Sequence, residues 1–251
     1  MHLQLSNIHY TFSDQTNVIN DLHLYIEKGE FVSLIGPSGC GKSTLFNLIS
    51  GLEIPSAGEI LLNGHSIVGQ RNHASYMMQK DLLLPWKTVL ENALLGAEIS
   101  KQNIAESKKK AFELLPLFGL DGYEHYYPHV LSGGMKQRAA LLRTFLHQKE
   151  LLLLDEPFGA LDALTREHMH EWLLSIWSKL RRSVLFITHS IDEAIFLSDR
   201  ICVMAPKPTN VLVEYSVKLP RPRTKEMIVT EEYLSLKKQL MQSLQKEEWK
   251  G

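Results

Sequence analysis

A glycine-rich segment near the start of the chain restricts its fold more than any other feature. Residues 36–44 read GPSGCGKST, which matches the pattern G-x-x-x-x-G-K-[S/T] in full. The apolar run 31–35 before it predicts a buried strand, and residues 44–50 after it predict a helix that ends at Gly51. A strand, a glycine-rich loop and a helix in this order are typical of proteins that bind a nucleoside triphosphate.

The residue types in this loop suit a dense anion. Glycines let backbone N–H groups turn inward around phosphates, and the helix N-terminus adds the positive end of its dipole. We expect Lys42 to reach the outer phosphates and the Ser43 hydroxyl to ligate Mg²⁺. Cys40 is interpreted as a filler of an open position rather than as a nucleophile. The predicted nucleotide-binding residues of the loop are Gly36, Pro37, Ser38, Gly39, Cys40, Gly41, Lys42, Ser43 and Thr44.

A second apolar run, residues 151–154, ends in two acids, Asp155 and Glu156. We expect Asp155 to complete the Mg²⁺ shell and Glu156 to act as the general base that polarises water for attack on the γ-phosphate. On its own such a pair could be a solvated strand end, but beside a phosphate loop it indicates triphosphate hydrolysis. GTPases, small-molecule kinases, helicases and transporters all carry such motifs, so these residues leave the function open.

Strand and helix patterns alternate along most of the chain. Residues 3–27 alternate apolar and polar in two runs, which predicts strands with one buried face. Helical spacing dominates between about 86 and 147 and predicts a helical insertion. Strands are predicted again at 151–154 and 184–187, with a helix at 165–180 between them. This alternation predicts a parallel sheet covered on its faces.

The tail differs in composition, because prolines interrupt it before a last helical segment. We place the main domain at residues 1–215 and a C-terminal extension at 216–251. The extension ends in a predicted amphipathic helix, which we interpret as a packing helix on the domain surface. The apolar positions on one face of this helix are Tyr233, Leu236, Leu240 and Leu244.

Composition argues against several other classes of protein. Lys and Arg number 27 and Asp and Glu 28, so the chain lacks the basic excess of a nucleic-acid binder. No apolar run reaches the roughly 18 residues that a membrane-spanning helix needs, and the first residues do not resemble a secretory signal. The two cysteines, Cys40 and Cys202, fit a reducing compartment. We expect a cytosolic chain that contacts a membrane only through a partner.

The segment 131–138, LSGGMKQR, resembles the signature sequence of ABC ATPases. A hydroxyl and two glycines at a helix start make a second anion site. In that family two subunits pair head to tail, and the signature of one closes on the nucleotide of the other. The resemblance therefore implies that a second copy of the chain completes each site. The contacts to the nucleotide of the partner are expected from Ser132, Gly133, Gly134 and Gln137.

The resemblance covers about residues 3–215 and assigns roles to three further motifs. Gln79 resembles the loop glutamine that senses Mg²⁺ and the attacking water. His189 resembles the switch histidine that holds the γ-phosphate and water. Ala160, Leu161 and Asp162 resemble the loop that crosses the dimer interface. ATP and Mg²⁺ are the implied cofactors, with Glu156, His189 and Gln79 as catalytic residues and Ser43, Gln79 and Asp155 as metal ligands.

Two aromatic residues compete for adenine. Phe12 resembles the ring on which adenine stacks in the family, and Tyr10 is the rival because the loop after Phe12 is slightly long. The chain departs from many relatives at Ser190, where they carry Asp, and at Met135, where they carry Gln. Neither departure touches the chemistry directly. The implied fold is α/β: a P-loop NTPase core with a parallel sheet, an N-terminal antiparallel β subdomain and an inserted α-helical subdomain.

Within the family, a single cassette without fused membrane helices suits a bacterial importer of separate subunits. The alternative is a non-transport ABC ATPase of the DNA-repair or translation type, although such proteins usually carry coiled-coil insertions, tandem cassettes or basic linkers. The runs 83–89, 158–166 and 192–200 resemble the nitrate/sulfonate/taurine importer group and importers of hydroxymethylpyrimidine-type thiamine precursors. The resemblance implies transmembrane permease subunits as partners, an indirect link to a solute-binding protein, and a peripheral location on the cytoplasmic face of the membrane. The permease contact is expected at residues 81–89, where the Leu side chains and Trp86 either meet the permease or pack inside the helical insertion.

Overall fold

The computed structural model describes residues 1–159, 161–209 and 212–248 of the 251-residue chain. Its strands are β1 (Leu3–Thr11), β2 (Asn17–Ile26), β3 (Phe31–Ile35), β4 (Ala57–Leu62), β5 (His65–Ser66), β6 (Ala74–Met77), β7 (Leu151–Asp155), β8 (Ser183–Ile187), β9 (Arg200–Met204) and β10 (Leu212–Ser216). Its helices are α1 (Lys42–Ser50), α2 (Val89–Ile99), α3 (Ile104–Leu114), α4 (Gly133–Leu146), α5 (Ala163–Leu180), α6 (Ile191–Leu197) and α7 (Glu231–Glu248).

The chain divides into two compact units. The first unit joins Met1–Ala74 with Trp177–Gly251, and the second is Ser75–Ile176. The phosphate loop and His189 belong to the first unit, whereas the acidic pair and the signature segment belong to the second. None of the helices in the described residues is both long enough and apolar enough to cross a membrane.

An antiparallel sheet opens the first unit, with strand order β2–β1–β4–β5. Leu3 and Leu5 of β1, and Leu22 and Leu24 of β2, point their buried side chains to one face. This burial confirms the strands that the alternating apolar pattern predicts, because side chains at every second position of a strand share a face.

Parallel strands form the centre of the first unit. β3 pairs in parallel with both β8 and β9, and β10 runs antiparallel to β9. Every residue of β3, β8 and β9 is buried, as expected for strands covered on both faces. Because β3 and β8 are parallel neighbours, the phosphate loop after β3 and the His189 segment after β8 leave the same edge of the sheet.

The second unit is largely helical. Thr88 starts α2 with a capping box in which its hydroxyl accepts from the Glu91 amide and Glu91 accepts from the Thr88 amide. The Phe118 ring packs edge-on against Phe145 of α4 and Trp172 of α5, with centroids 5.6 and 5.0 Å away. The limits of this unit lie outside the predicted insertion, 86–147, because it also contains β7 and all of its neighbour β6 except Ala74.

The C-terminal extension packs into the first unit. Val217 and two α7 residues, Tyr233 and Leu240, are buried in one apolar cluster with Ile195 of α6 and Ile201 of β9. Leu236 and Leu244 pack against the same cluster. The predicted amphipathic helix is therefore confirmed, since all four of its predicted apolar positions lie on the face that meets this cluster.

Candidate functional site

The loop after β3 has a backbone that requires glycine at two positions. Gly41 adopts φ 110° immediately before α1, a conformation that costs a residue with a side chain free energy. A Cβ at Gly36 would lie 2.8 Å from the carbonyl oxygen of Met204. No described side chain caps the start of α1. The first N–H groups of this helix can therefore donate to an anion.

Lys42 is fixed over this loop. Its Nζ donates to the carbonyl oxygens of Gly36 and Pro37, both at 2.9 Å, and the side chain is largely buried. Ser43 follows on the first turn of α1 and is exposed. A fixed cation beside uncapped helix N–H groups makes a strong site for phosphate oxygens.

Thr209 supports the phosphate loop, although no sequence motif indicates it. Its buried hydroxyl lies 2.7 Å from the carbonyl oxygen of Cys40 and 2.8 Å from that of Ala205, so that it can donate to either. Thr209 is 169 positions from Cys40 and belongs to no motif. The sequence therefore carries no signal that would have identified this contact.

The two aromatic rivals for adenine differ in access. Tyr10 is only 7% exposed, and its hydroxyl donates to Glu53 Oε2 at 3.0 Å. Phe12 is 38% exposed and meets the Tyr10 ring edge-on, with centroids 5.2 Å apart. Stacking requires an accessible ring face, so the geometry favours Phe12, with Tyr10 as the buried support of its ring.

The predicted metal-binding acid, Asp155, ends β7 and is buried. The Tyr76 hydroxyl donates to Asp155 Oδ2 at 3.4 Å from β6, the neighbouring strand. Burial, with the negative charge of Asp155, raises the pKa of Tyr76, so the phenol remains a hydrogen-bond donor. No sequence pattern indicates this contact of Tyr76 with the predicted metal-binding acid.

Glu156 has an unusual backbone for a residue with a side chain, φ 45°. The Gly159 amide donates to the Glu156 carbonyl at 3.1 Å and closes the turn that holds this conformation. Gln79 Nε2 donates to Glu156 Oε2 at 3.0 Å across 77 positions of sequence. The fold thus brings together two of the predicted catalytic residues, and the strained backbone is typical of functional sites.

The signature segment begins α4. Ser132 is the N-cap, and its hydroxyl accepts from the Met135 amide at 3.3 Å. Ser132, Gly133 and Gly134 line an open pocket together with Asp162. The Thr165 amide donates to Asp162 at 3.1 Å, and the hydrogen bonds from Thr165 lower the pKa of Asp162 and keep it anionic. Two of the segments predicted to meet a partner subunit therefore share one surface.

Gln137 does not lie on that surface. It is 4% exposed, and the next residues on its face of α4, Ala140 and Leu141, are also buried. A residue that contacts the nucleotide of a partner must be accessible, so the position of Gln137 argues against the role predicted for it. Ala160, which belongs to the predicted interface loop, lies outside the described residues.

His189 lies two residues after the end of β8 and is exposed. The residues on either side of it are fixed to α6. The Thr188 hydroxyl donates to Glu193, and Ser190 caps α6 by accepting from the Glu193 amide at 3.3 Å. His189 thus sits on a short segment whose position depends on that of α6.

The donors predicted for Mg²⁺ are a hydroxyl, an amide oxygen and one carboxylate. Within the described residues, no group of three or more His, Cys, Asp or Glu side chains could hold a metal ion by itself. Mg²⁺ commonly binds through one or two protein oxygens together with phosphate oxygens and water. The residue types at Ser43, Gln79 and Asp155 therefore fit Mg²⁺ bound with a nucleotide.

A family model described as ABC transporter matches residues 19–159 of the chain. The aliphatic sulfonates import ATP-binding protein SsuB of Bacillus cereus is 40% identical over 248 residues. That match covers 98% of this chain and 96% of the relative. The predicted alternative, a repair or translation ATPase, finds no support in this relative.

Two solved structures are similar to the chain. One is the dimeric structure of MJ0796, a bacterial ABC transporter cassette, with a TM-score of 0.73 and 29% identity. The other is a dimeric post-hydrolysis state of the same cassette bound to ADP and Pi, with a TM-score of 0.73 and 28% identity. Each covers 87% of this chain and is itself covered in full.

Proposed function

This chain belongs to the ABC transporter family, and we propose that it is the ATP-hydrolysing subunit of a bacterial importer of aliphatic sulfonates. The observation that supports sulfonates as the transported solutes is the 40% identity with a sulfonate import ATP-binding protein over 98% of the chain. Nitrate and hydroxymethylpyrimidine-type thiamine precursors, the other cargoes expected from the sequence, are the competing outcomes.

In the proposed reaction, the N–H groups at the start of α1 and Lys42 bind the phosphates, and adenine stacks on Phe12. Glu156 accepts a proton from the attacking water, which Gln79 and His189 orient. Ser43, Asp155 and Gln79 would hold Mg²⁺, which would supply positive charge to the phosphates when bound. The hydrogen bond between Gln79 and Glu156 supports this assignment because it orients the carboxylate of the base.

We propose that two copies of the chain pair head to tail when ATP binds. The solved cassette that is similar to the chain is dimeric. The exposed pocket formed by Ser132, Gly133, Gly134 and Asp162 is the surface that would close on the nucleotide of the partner. Its helix N-terminus favours an anion.

The proposed permease contact lies just before α2. Trp86 is 70% exposed, and Leu82, four positions before it, is also exposed. Large exposed apolar side chains mark contacts with other proteins. Docking there would hold the chain at the cytoplasmic face of the membrane and link it, through the permease, to a solute-binding protein.

The cargo can be identified by uptake in cells that carry Glu156→Gln in the native gene. We expect uptake of labelled alkanesulfonates to be lost and uptake of nitrate and thiamine pyrimidine precursors to be retained. If uptake of nitrate or of thiamine pyrimidine precursors were lost instead, that solute would be identified as the cargo and the sulfonate assignment would be refuted. Full uptake of the whole panel would remove the support for an importer of these solutes.

Replacing Trp86 by Ala should uncouple transport from hydrolysis. We expect uptake to fall about tenfold or more, as for an interface anchor residue, while the ATPase rate of the purified chain stays within about twofold. Ile99, 80% exposed at the other end of α2, supplies the control Ile99→Ala. Equal loss of uptake and ATPase activity in the Trp86 variant would contradict the docking role.

A further inference from the structure

The helix that follows His189 is too short to be stable by itself. α6 has seven residues, Ile191–Leu197, whereas isolated helices shorter than about 12 residues are marginal in water. Thr188 and Ser190 fix the His189 segment to this helix through Glu193. Thr188 is also tied to β3, because its amide donates to the Leu34 carbonyl at 3.3 Å. The contacts that hold α6 in place therefore contribute to the position of His189.

The first turn of α6 is held by the C-terminal helix. The Tyr233 hydroxyl donates to Asp192 Oδ1 at 2.8 Å. Lys237 Nζ lies 2.8 and 2.9 Å from the two oxygens of the same carboxylate. Tyr233 and Lys237 are four positions apart, so they occupy one face of α7 and bind Asp192 together.

The last turn of α6 is held by the segment that leads to α7. Arg223 is buried, and its Nη1 donates to the carbonyl oxygens of Ile195 and Phe196 at 2.9 and 3.1 Å. Arg221 Nη2 donates to the Leu197 carbonyl at 2.8 Å. The final carbonyls of a helix lack partners within the helix and carry the negative end of its dipole, so cations there stabilise it.

Apolar packing joins the two helices between these polar contacts. Tyr233 and Leu240 of α7 are buried against Ala194 and Ile195 of α6. The extension thus contacts α6 at its first turn, along its length and at its last turn. A helix that only covered an apolar surface would not need cations and a phenol directed at both ends of one short helix.

We propose that the C-terminal extension is part of the catalytic apparatus, and that Tyr233 and Lys237 are positioning residues that set His189 through Asp192 and α6. This inference rests on the proposed function of His189 in hydrolysis. Displacement of α7 would release the first turn of α6 and with it the His189 segment, so hydrolysis would depend on docking of the extension.

The test uses the full chain carrying Tyr233→Phe together with Lys237→Met, which keep the ring and the apolar stem. We expect the turnover of ATP to fall about tenfold, with the dissociation constant for ATP changed by less than about twofold, because the phosphate loop is untouched. Asp192→Asn weakens the same contacts from the α6 side. It should likewise lower ATP turnover while leaving the dissociation constant for ATP nearly unchanged. Lys238→Met, at an exposed position of α7, is the matched control and should leave both quantities unchanged.

The His189→Ala background separates positioning from general stability. If Tyr233 and Lys237 act through His189, their replacement should reduce turnover little further in that background. Equal fold-losses in both backgrounds, or unchanged turnover in the native background, would overturn the inference. Full turnover of His189→Ala alone would instead refute the proposed role of His189, and it would be seen before any change is made in α7.

Discussion

Replacing Glu156 by Gln should reduce ATP turnover at least about 100-fold while leaving ATP binding intact. A positioned general base contributes about 10²- to 10⁴-fold to a reaction rate, and an amide cannot accept the proton of the attacking water. The side chain keeps its size, and its amide oxygen can still accept the bond from Gln79 Nε2. The turn at φ 45° is retained as well, so the fold should be unaffected.

The measurements are steady-state phosphate release and the size of the protein in solution with ATP and Mg²⁺. With binding intact and hydrolysis stopped, ATP should hold the Glu156→Gln chain as a dimer, whereas the unmodified chain should return to its resting state as ATP is consumed. Glu113→Gln, at an exposed position of α3, is the control for loss of one carboxylate. Normal phosphate release by the Glu156 variant would show that the base is misassigned.

Replacing Lys42 by Ala should weaken ATP binding itself. A hydrogen bond to a charged group contributes about 1.5–3 kcal/mol, which corresponds to a roughly 10- to 150-fold rise in the dissociation constant. Turnover at saturating ATP should fall too, because the lysine stabilises charge on the transferred phosphoryl group. The two variants therefore separate the roles: Glu156→Gln spares binding, whereas Lys42→Ala does not.

Binding is best measured by titration with a fluorescent ATP analogue that is displaced by ATP. The matched control is Lys28→Ala, which removes the same charge before β3, at the end of the strand opposite the phosphate loop. An unchanged ATP affinity in the Lys42 variant would contradict the assignment of this loop as the phosphate site. Weakened binding in both variants would indicate a general effect of net charge.

The fold was predictable because its signals are local. A buried parallel strand is an uninterrupted apolar run, and an antiparallel strand with one buried face alternates. Residues 31–35 and 3–27 show these patterns without reference to any distant residue. The helices predicted at 44–50 and 165–180 agree with α1 and α5 to within two residues at each end. Gly51 ends α1 in the left-handed conformation that glycine favours.

The roles assigned to Gln79, His189 and Asp162 came from resemblance alone, and they stay predictions. The structure adds a physical reason for two of them: Gln79 reaches the carboxylate of Glu156, and Asp162 shares a pocket with the signature glycines. Gln137 shows the limit of a motif, because a linear pattern does not say which face of a helix is buried.

The sequence by itself determined the strands within 3–27 and at 31–35, 151–154 and 184–187, the phosphate loop, the acidic pair and the family, because each depends on neighbouring residues and on short-range spacing. Only the tertiary structure decided which of Phe12 and Tyr10 offers a free ring, that Thr209 supports the loop, and that Tyr233 binds the helix after His189. The hydrogen bonds of Thr209 and Tyr233 join residues 169 and 41 positions apart. For the aromatic pair, the difference in burial of the two rings distinguishes Phe12 from Tyr10. Contacts at such distances leave no pattern in a single sequence, since many residue pairs could satisfy the same hydrogen bonds and the packing of the whole unit selects among them.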